Sequence, residues 1–181
     1  MTARRFAFLR AINTGGRRLT NDELLEPFRR LGLDDVAAHR AAGNVVFRSD
    51  EAAAVLEARI ETALRESFGF EATTFVRSPA ELRSVVDEQP FPDDVVSATE
   101  GRIQVTFLRS PVTDSESREV DALVPDDDLV ELCPRHWYWL PRTGVSGSSL
   151  PVARIETVLG PMTMRTLGTV ERMLTRFAPD A

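Results

Sequence analysis

RFAFLRAINTGGRRLTNDE, residues 5–23, decides the fold. In its first five residues Phe6 and Phe8 alternate with Ala7 and Leu9, the pattern of a short buried strand. A polar turn ending in Gly15 and Gly16 follows. Thr20-Asn21-Asp22-Glu23 then has the spacing of a capping box, in which hydroxyl and carboxylate satisfy each other's backbone N–H groups. A helix is predicted from there, with Leu24, Leu25, Phe28 and Leu31 as its apolar stripe and Gly32 at its end. Pro27 falls inside that helix and predicts a kink costing about 3 kcal/mol.

Working outward, Val36–Arg40 and Asn44–Arg48 read as two strands joined tightly through Ala41-Ala42-Gly43. Ser49 or Asp50 is positioned to cap a second helix, whose stripe is Ala52, Leu56, Ile60, Leu64 and Phe68 and whose stop is Gly69. Glu71–Arg77 alternates as another strand. Strand-helix-strand-strand-helix-strand is the split βαβ, ferredoxin-like order. Ser78-Pro79-Ala80-Glu81 opens a third helix with proline at its first position. QPFPDDVVSATEG, residues 89–101, carries turn residues without periodicity and marks a junction between domains 1–92 and 98–181.

The second half repeats the order without repeating the residues. Ile103, Val105 and Phe107 form a strand. Thr113–Glu116 is a capping box. Leu129–Cys133 and Trp137–Leu140 are strands around Pro134-Arg135-His136, Thr143–Ser149 is a flexible loop, and helices follow from Pro151 and around Val170–Phe177. The expected fold is α+β, two tandem ferredoxin-like plaits with antiparallel sheets and extra helices.

Composition narrows the function. Net charge is −6 over 181 residues, and all 22 basic residues are arginine. Without lysine there is no Schiff base, lysine base or Walker A lysine. The acidic balance disfavours nucleic acid and anionic membrane surfaces. A single cysteine, Cys133, allows no internal disulfide and reads as a small buried strand residue in a reducing, cytoplasmic setting. No apolar run reaches the roughly 20 residues of a membrane span. His39 and His136 lack zinc spacing, and the Asp34-Asp35, Asp93-Asp94 and Asp126–Asp128 clusters read as solvated turns, so no metal or cofactor is expected.

Arg10 and Asn13 beside Gly15 and Gly16 combine a guanidinium fork with glycines that let backbone approach a ligand, a pattern suited to phosphate or carboxylate. The competing reading is an Asn13 side chain that bonds its own turn. Asn44 either joins that site or closes the hairpin. Arg165 and Thr169, around the start of the last helix, suit an anion at a positive helix end; the competing reading is a cap and a surface ion pair. On the Trp137-Tyr138-Trp139 strand, alternation sends the indoles to one face and the phenol to the other. Core packing is the first reading; a homodimer or partner interface, or base stacking, are the alternatives.

Several motifs together resemble the domain of unknown function 1697 family. Phe8-Leu9-Arg10-Ala11-Ile12-Asn13-Thr14-Gly15-Gly16 is similar to its LLRGINVGG, and Ala42-Gly43-Asn44-Val45-Val46-Phe47 to its SGNVVF. Phe68-Gly69-Phe70 through Gln89-Pro90-Phe91-Pro92 is similar to its FGF…NPFP stretch, and Thr163–Val170 to its TTRNWNTV. The resemblance implies two α+β plaits and no activity. The chain departs from the pattern at Ala11, Ala42, Thr166, Leu167 and Gly168, and has Ser148-Ser149 where serine-lysine is usual. The first-ranked function is binding of a small anionic ligand by Arg10, Asn13, Gly15, Gly16, Asn44, Arg165 and Thr169. The alternatives are a homodimer or partner module built on the sheet aromatics and, third, RNA binding.

Overall fold

The computed structural model describes residues 2–13, 16, 18–40, 43–99 and 102–179. The described chain divides into two compact units, 1–84 with 173–181, and 85–172. In the first, β1 (Arg4–Leu9), α1 (Asn21–Arg30), β2 (Asp34–Ala38), β3 (Asn44–Arg48), α2 (Ala53–Phe68) and β4 (Thr74–Arg77) build an antiparallel sheet of order β2-β3-β1-β4. α3 (Pro79–Asp87) and α4 (Asp93–Ser97) follow. The second sheet contains β5 (Gln104–Leu108), β6 (Asp128–Cys133), β7 (His136–Pro141) and β8 (Met162–Thr166), in the order β6-β7-β5-β8. Its helices are α5 (Asp114–Asp121) and α6 (Val152–Leu159), and α7 (Leu167–Phe177) comes last. Strand for strand the two orders are the same. This is an α+β fold of two ferredoxin-like units in tandem.

Each sheet buries one face under its own helices. Ala7, Leu9, Val45, Phe47 and Val76 pack with Leu24, Leu25 and Phe28 of α1 and Leu56, Ile60 and Leu64 of α2. Leu108, Trp137, Trp139 and Met162 pack with Val120 of α5 and Ile155 and Leu159 of α6. The opposite faces are buried too: Phe6, Phe8, Val46 and Phe75 in the first sheet, Val105, Phe107 and Tyr138 in the second.

Both capping boxes form, Thr20 with Glu23 and Thr113 with Glu116, and Ser78 with Glu81 closes the same loop before α3. α1 continues through Pro27, which is buried. Other expectations are corrected. α2 starts at Ala53, because the capping oxygens are engaged elsewhere: Ser49 Oγ accepts from Glu51 N and Asp50 Oδ1 from Ala3 N. β2 lies two residues earlier than expected, with a bulge between Asp34 and Ala37, and hands over to a longer connection. Ala41 and Ala42 fall outside the described residues. β4 begins at Thr74, not Glu71. The stretch that reads as irregular contains α4, and β8 is a strand that the sequence pattern does not predict.

Candidate functional site

At the C-terminal end of β1, three strand ends meet. Leu9 N donates to Gly43 O at 2.7 Å, and Arg10 N to Thr73 O at 2.9 Å. Gly43 has φ +69°, and a Cβ there would sit 3.0 Å from Leu9 O and 3.3 Å from Leu9 Cβ. The β2–β3 connection therefore lies directly on the β1–α1 turn, and glycine is what lets it. Ala11 and Arg40 flank this joint with φ of +59° and +58°, conformations that cost an L-residue energy.

The candidate side chains of this unit have different uses. Asn13 Oδ1 accepts from Leu19 N at 2.9 Å, tying the turn to the residue before the α1 cap. Asn44 is fully buried, and its Nδ2 donates to His39 O at 3.3 Å while its own carbonyl accepts from His39 N. Both carboxamides hold loops. Arg10 is half-buried at the rim and Gly16 exposed, with φ +82°; Gly15 is outside the described residues.

The second unit holds Arg165 and Thr169. Arg165 is a strand residue of β8, not a residue of the helix start. Its Nη1 donates to Thr163 Oγ1 at 2.9 Å and to Met164 O at 2.7 Å, and burial lowers its pKa to about 10. Thr169, in the first turn of α7, shares a 2.8 Å hydrogen bond with the Thr166 hydroxyl and accepts from Arg172 Nη2 at 3.3 Å.

That helix start borders a cleft of about 380 Å³ walled by Arg102, Ile103, Thr166, Gly168, Glu171 and Arg172. The Arg172 guanidinium reaches back over the first turn, so near that a Cβ on Gly168 would meet Nη1 at 3.3 Å. Two guanidinium groups and the positive end of a helix thus line one cleft, with Glu171 as the carboxylate among these walls. The sequence reading missed Arg102 and Arg172. Helical spacing does place Arg172 three residues after Thr169, on one face; nothing in the sequence brings Arg102 to them.

The aromatic strand behaves as core. Trp137 and Trp139 are fully buried against α5 and α6, and Trp139 Nε1 donates to Asp128 Oδ2 at 3.0 Å. Ser148 Oγ also bonds Asp128 and accepts from Leu150 N, pinning one end of the Thr143–Ser149 loop. Tyr138 points to the other face and donates to Val85 O at 2.8 Å; burial, then Cys133 and Glu88, push its pKa up. Cys133 is half-buried rather than buried, and burial, with Glu131 and Glu88 adding negative charge, raises its thiol. Among the described residues no group of three His, Cys, Asp or Glu could hold a metal ion, and no helix is long and apolar enough to cross a membrane.

The chain is similar in structure to the conserved bacterial protein SP0830 from Streptococcus pneumoniae. The TM-score is 0.73 at 20% identity, covering 96% of this chain and 97% of that one, a likeness of fold. No curated protein matches. The family model described as protein of unknown function, DUF1697, matches residues 2–138 and so takes in the joint where the β2–β3 connection meets the β1–α1 turn. The chain belongs to the DUF1697 family.

Proposed function

We propose that the protein binds a small anionic ligand, bearing phosphate or carboxylate, in the cleft at the start of α7. The observation that carries this reading is the position of Arg172. A cation over the first turn of a helix opposes the helix dipole; the Glu171 carboxylate beside it offsets one positive charge, and Arg102 adds a second guanidinium to the same cleft. An anion between them turns these repulsions into charge-assisted hydrogen bonds, with the first-turn N–H groups beyond Leu167, whose own N–H donates to Ile103 O, as further donors. The overall charge of −6 makes such a positive cluster a local exception.

The test is thermal unfolding with inorganic phosphate, pyrophosphate, a nucleoside triphosphate and a dicarboxylate. Wild type is compared with Arg102→Ala, Arg172→Ala and Arg10→Ala. A ligand at about 100 times its Kd stabilises by about 2.7 kcal/mol. Stabilisation by one anion class that both cleft variants abolish is the expected result. Stabilisation that survives in both cleft variants and is lost in Arg10→Ala moves the site to the β1–α1 turn. No shift with any of these anions refutes the reading. A partner surface or base-stacking platform on Trp137 and Trp139 finds no support, since both indoles lie in the core.

A further inference from the structure

We propose that Glu57, Glu61 and Arg77 act as a side-chain surrogate for a fifth strand, preventing β4 from pairing with the same strand of a second copy of this chain. β4 is an edge of the first sheet, in register with β1 through Phe6–Arg77, Ala7–Val76, Phe8–Phe75 and Leu9–Thr74. In an antiparallel strand the N–H and C=O of one residue point the same way, and neighbouring residues point opposite ways. Thr73 O accepts from Arg10 N on the β1 side, so Thr74 and Val76 direct their backbone groups outward.

Those outward groups meet side chains. Thr74 N donates to Glu61 Oε1 at 2.8 Å, and Val76 N to Glu57 Oε1 at 2.8 Å. Val76 O accepts from Arg77 Nη1 at 2.8 Å, and the same Nη1 lies 3.8 Å from Glu57 Oε1. Glu57 and Glu61 are one helical turn apart on α2, a rise of about 6 Å; Thr74 and Val76 are about 6.7 Å apart along the strand. The two repeats match, so two carboxylates take successive ladder positions. Glu57 and Arg77 are almost wholly buried, an expensive place for charges unless they are engaged in this way.

The opposite edge is guarded differently. β2 is bulged between Asp34 and Ala37 and exposes the two acidic residues Asp34 and Asp35, both devices that discourage strand addition. β4, in Thr-Phe-Val-Arg, has neither bulge nor proline. A second copy of β4 is the partner that fits, because antiparallel pairing about a two-fold axis sets each outward donor opposite an outward acceptor.

The test uses the full chain with Glu61→Ala, Glu61→Gln and the Glu57→Ala/Glu61→Ala double variant. Amide exchange is followed at Thr74 and Val76, and mass by sedimentation over a concentration series. Glu61→Ala is expected to speed Thr74 exchange by about tenfold, the effect of losing one partly buried hydrogen bond, and to raise the mass with concentration above that of wild type. Glu61→Gln keeps an acceptor oxygen and is expected to behave as wild type. Unchanged Thr74 exchange in Glu61→Ala, or wild-type mass at every concentration, overturns the proposal. If the double variant does not fold, because Arg77 has lost its buried partner, the two single variants decide the matter alone.

Discussion

Replacing Ala11 by glycine is expected to stabilise the protein, against the usual effect of adding a glycine. Ala11 has φ +59°, in the left-handed region, and its side chain is exposed. An L-residue pays about 1–2 kcal/mol for that conformation, which glycine avoids. Glycine loosens the unfolded chain, a cost of about 0.4–1 kcal/mol. No packing is lost with an exposed methyl. The difference is a gain of about 0.5–1 kcal/mol, or about 1–4 °C in Tm for a chain of this size. The opening motif of the family has glycine at this position, so the substitution restores the residue the backbone favours.

The assay is urea unfolding of wild type and Ala11→Gly, with two controls. Ala122→Gly lies at a right-handed helix end, φ −70°, and is expected to lose about 0.5–1 kcal/mol. Arg40→Gly, at φ +58° and exposed, is expected to share the sign of Ala11→Gly. A loss of stability in Ala11→Gly equal to that in Ala122→Gly would refute the reasoning, since the turn would then not hold residue 11 in the left-handed region.

Gly43→Ala tests the other half of the same joint. Its new Cβ would stand 3.0 Å from Leu9 O at φ +69°, and strain together with overpacking predicts a loss of about 2–4 kcal/mol in urea unfolding; a wild-type midpoint would contradict it. The capping glutamates predict a pH dependence. Glu23 is held below the ordinary glutamate value by the Thr20 backbone N–H and then its hydroxyl, and Glu116 by the Thr113 hydroxyl and then its backbone N–H. A depressed folded-state pKa means their contribution is complete above the unfolded glutamate value and lost as pH falls through the folded one. Carboxyl-carbon NMR titration should find both groups titrating below the ordinary glutamate value; ordinary midpoints would count against these caps.

The elements legible in the sequence were those with local chemistry of their own. Thr20–Glu23, Thr113–Glu116 and Ser78–Glu81 announce helix starts because hydroxyl and carboxylate satisfy backbone within four residues. β1 is legible as an unbroken apolar run, Phe6 to Leu9, buried throughout, and β5 by the alternation of Val105 and Phe107 with Gln104 and Thr106. β8 was illegible for a physical reason. Met162 and Met164 face the helices, but the opposite side carries Thr163 and Arg165, whose polar groups bond each other and the backbone. A strand whose second face satisfies itself leaves no apolar signature. Ser49 and Asp50 misled for the converse reason: cap-forming residues bonded the turn and residue 3 instead of a helix.

The candidate residues divide by the same logic. Asn13 and Asn44 stand in the two most recognisable motifs, yet their carboxamides close loops, and Gly43 is needed for contact with Leu9. The two motifs are the two sides of one mechanical joint, so finding them together reports the fold. The cleft at α7 is the reverse case. Thr166, Leu167 and Gly168, where the chain departs from the family pattern, line it, and Gly168 is small enough for the Arg172 guanidinium to lie across it. A larger residue at 168 would displace that guanidinium before it disturbed the helix. Gly168→Leu should therefore abolish anion-dependent stabilisation while leaving the unliganded protein folded, a separation that no substitution at the β1–α1 joint is expected to give.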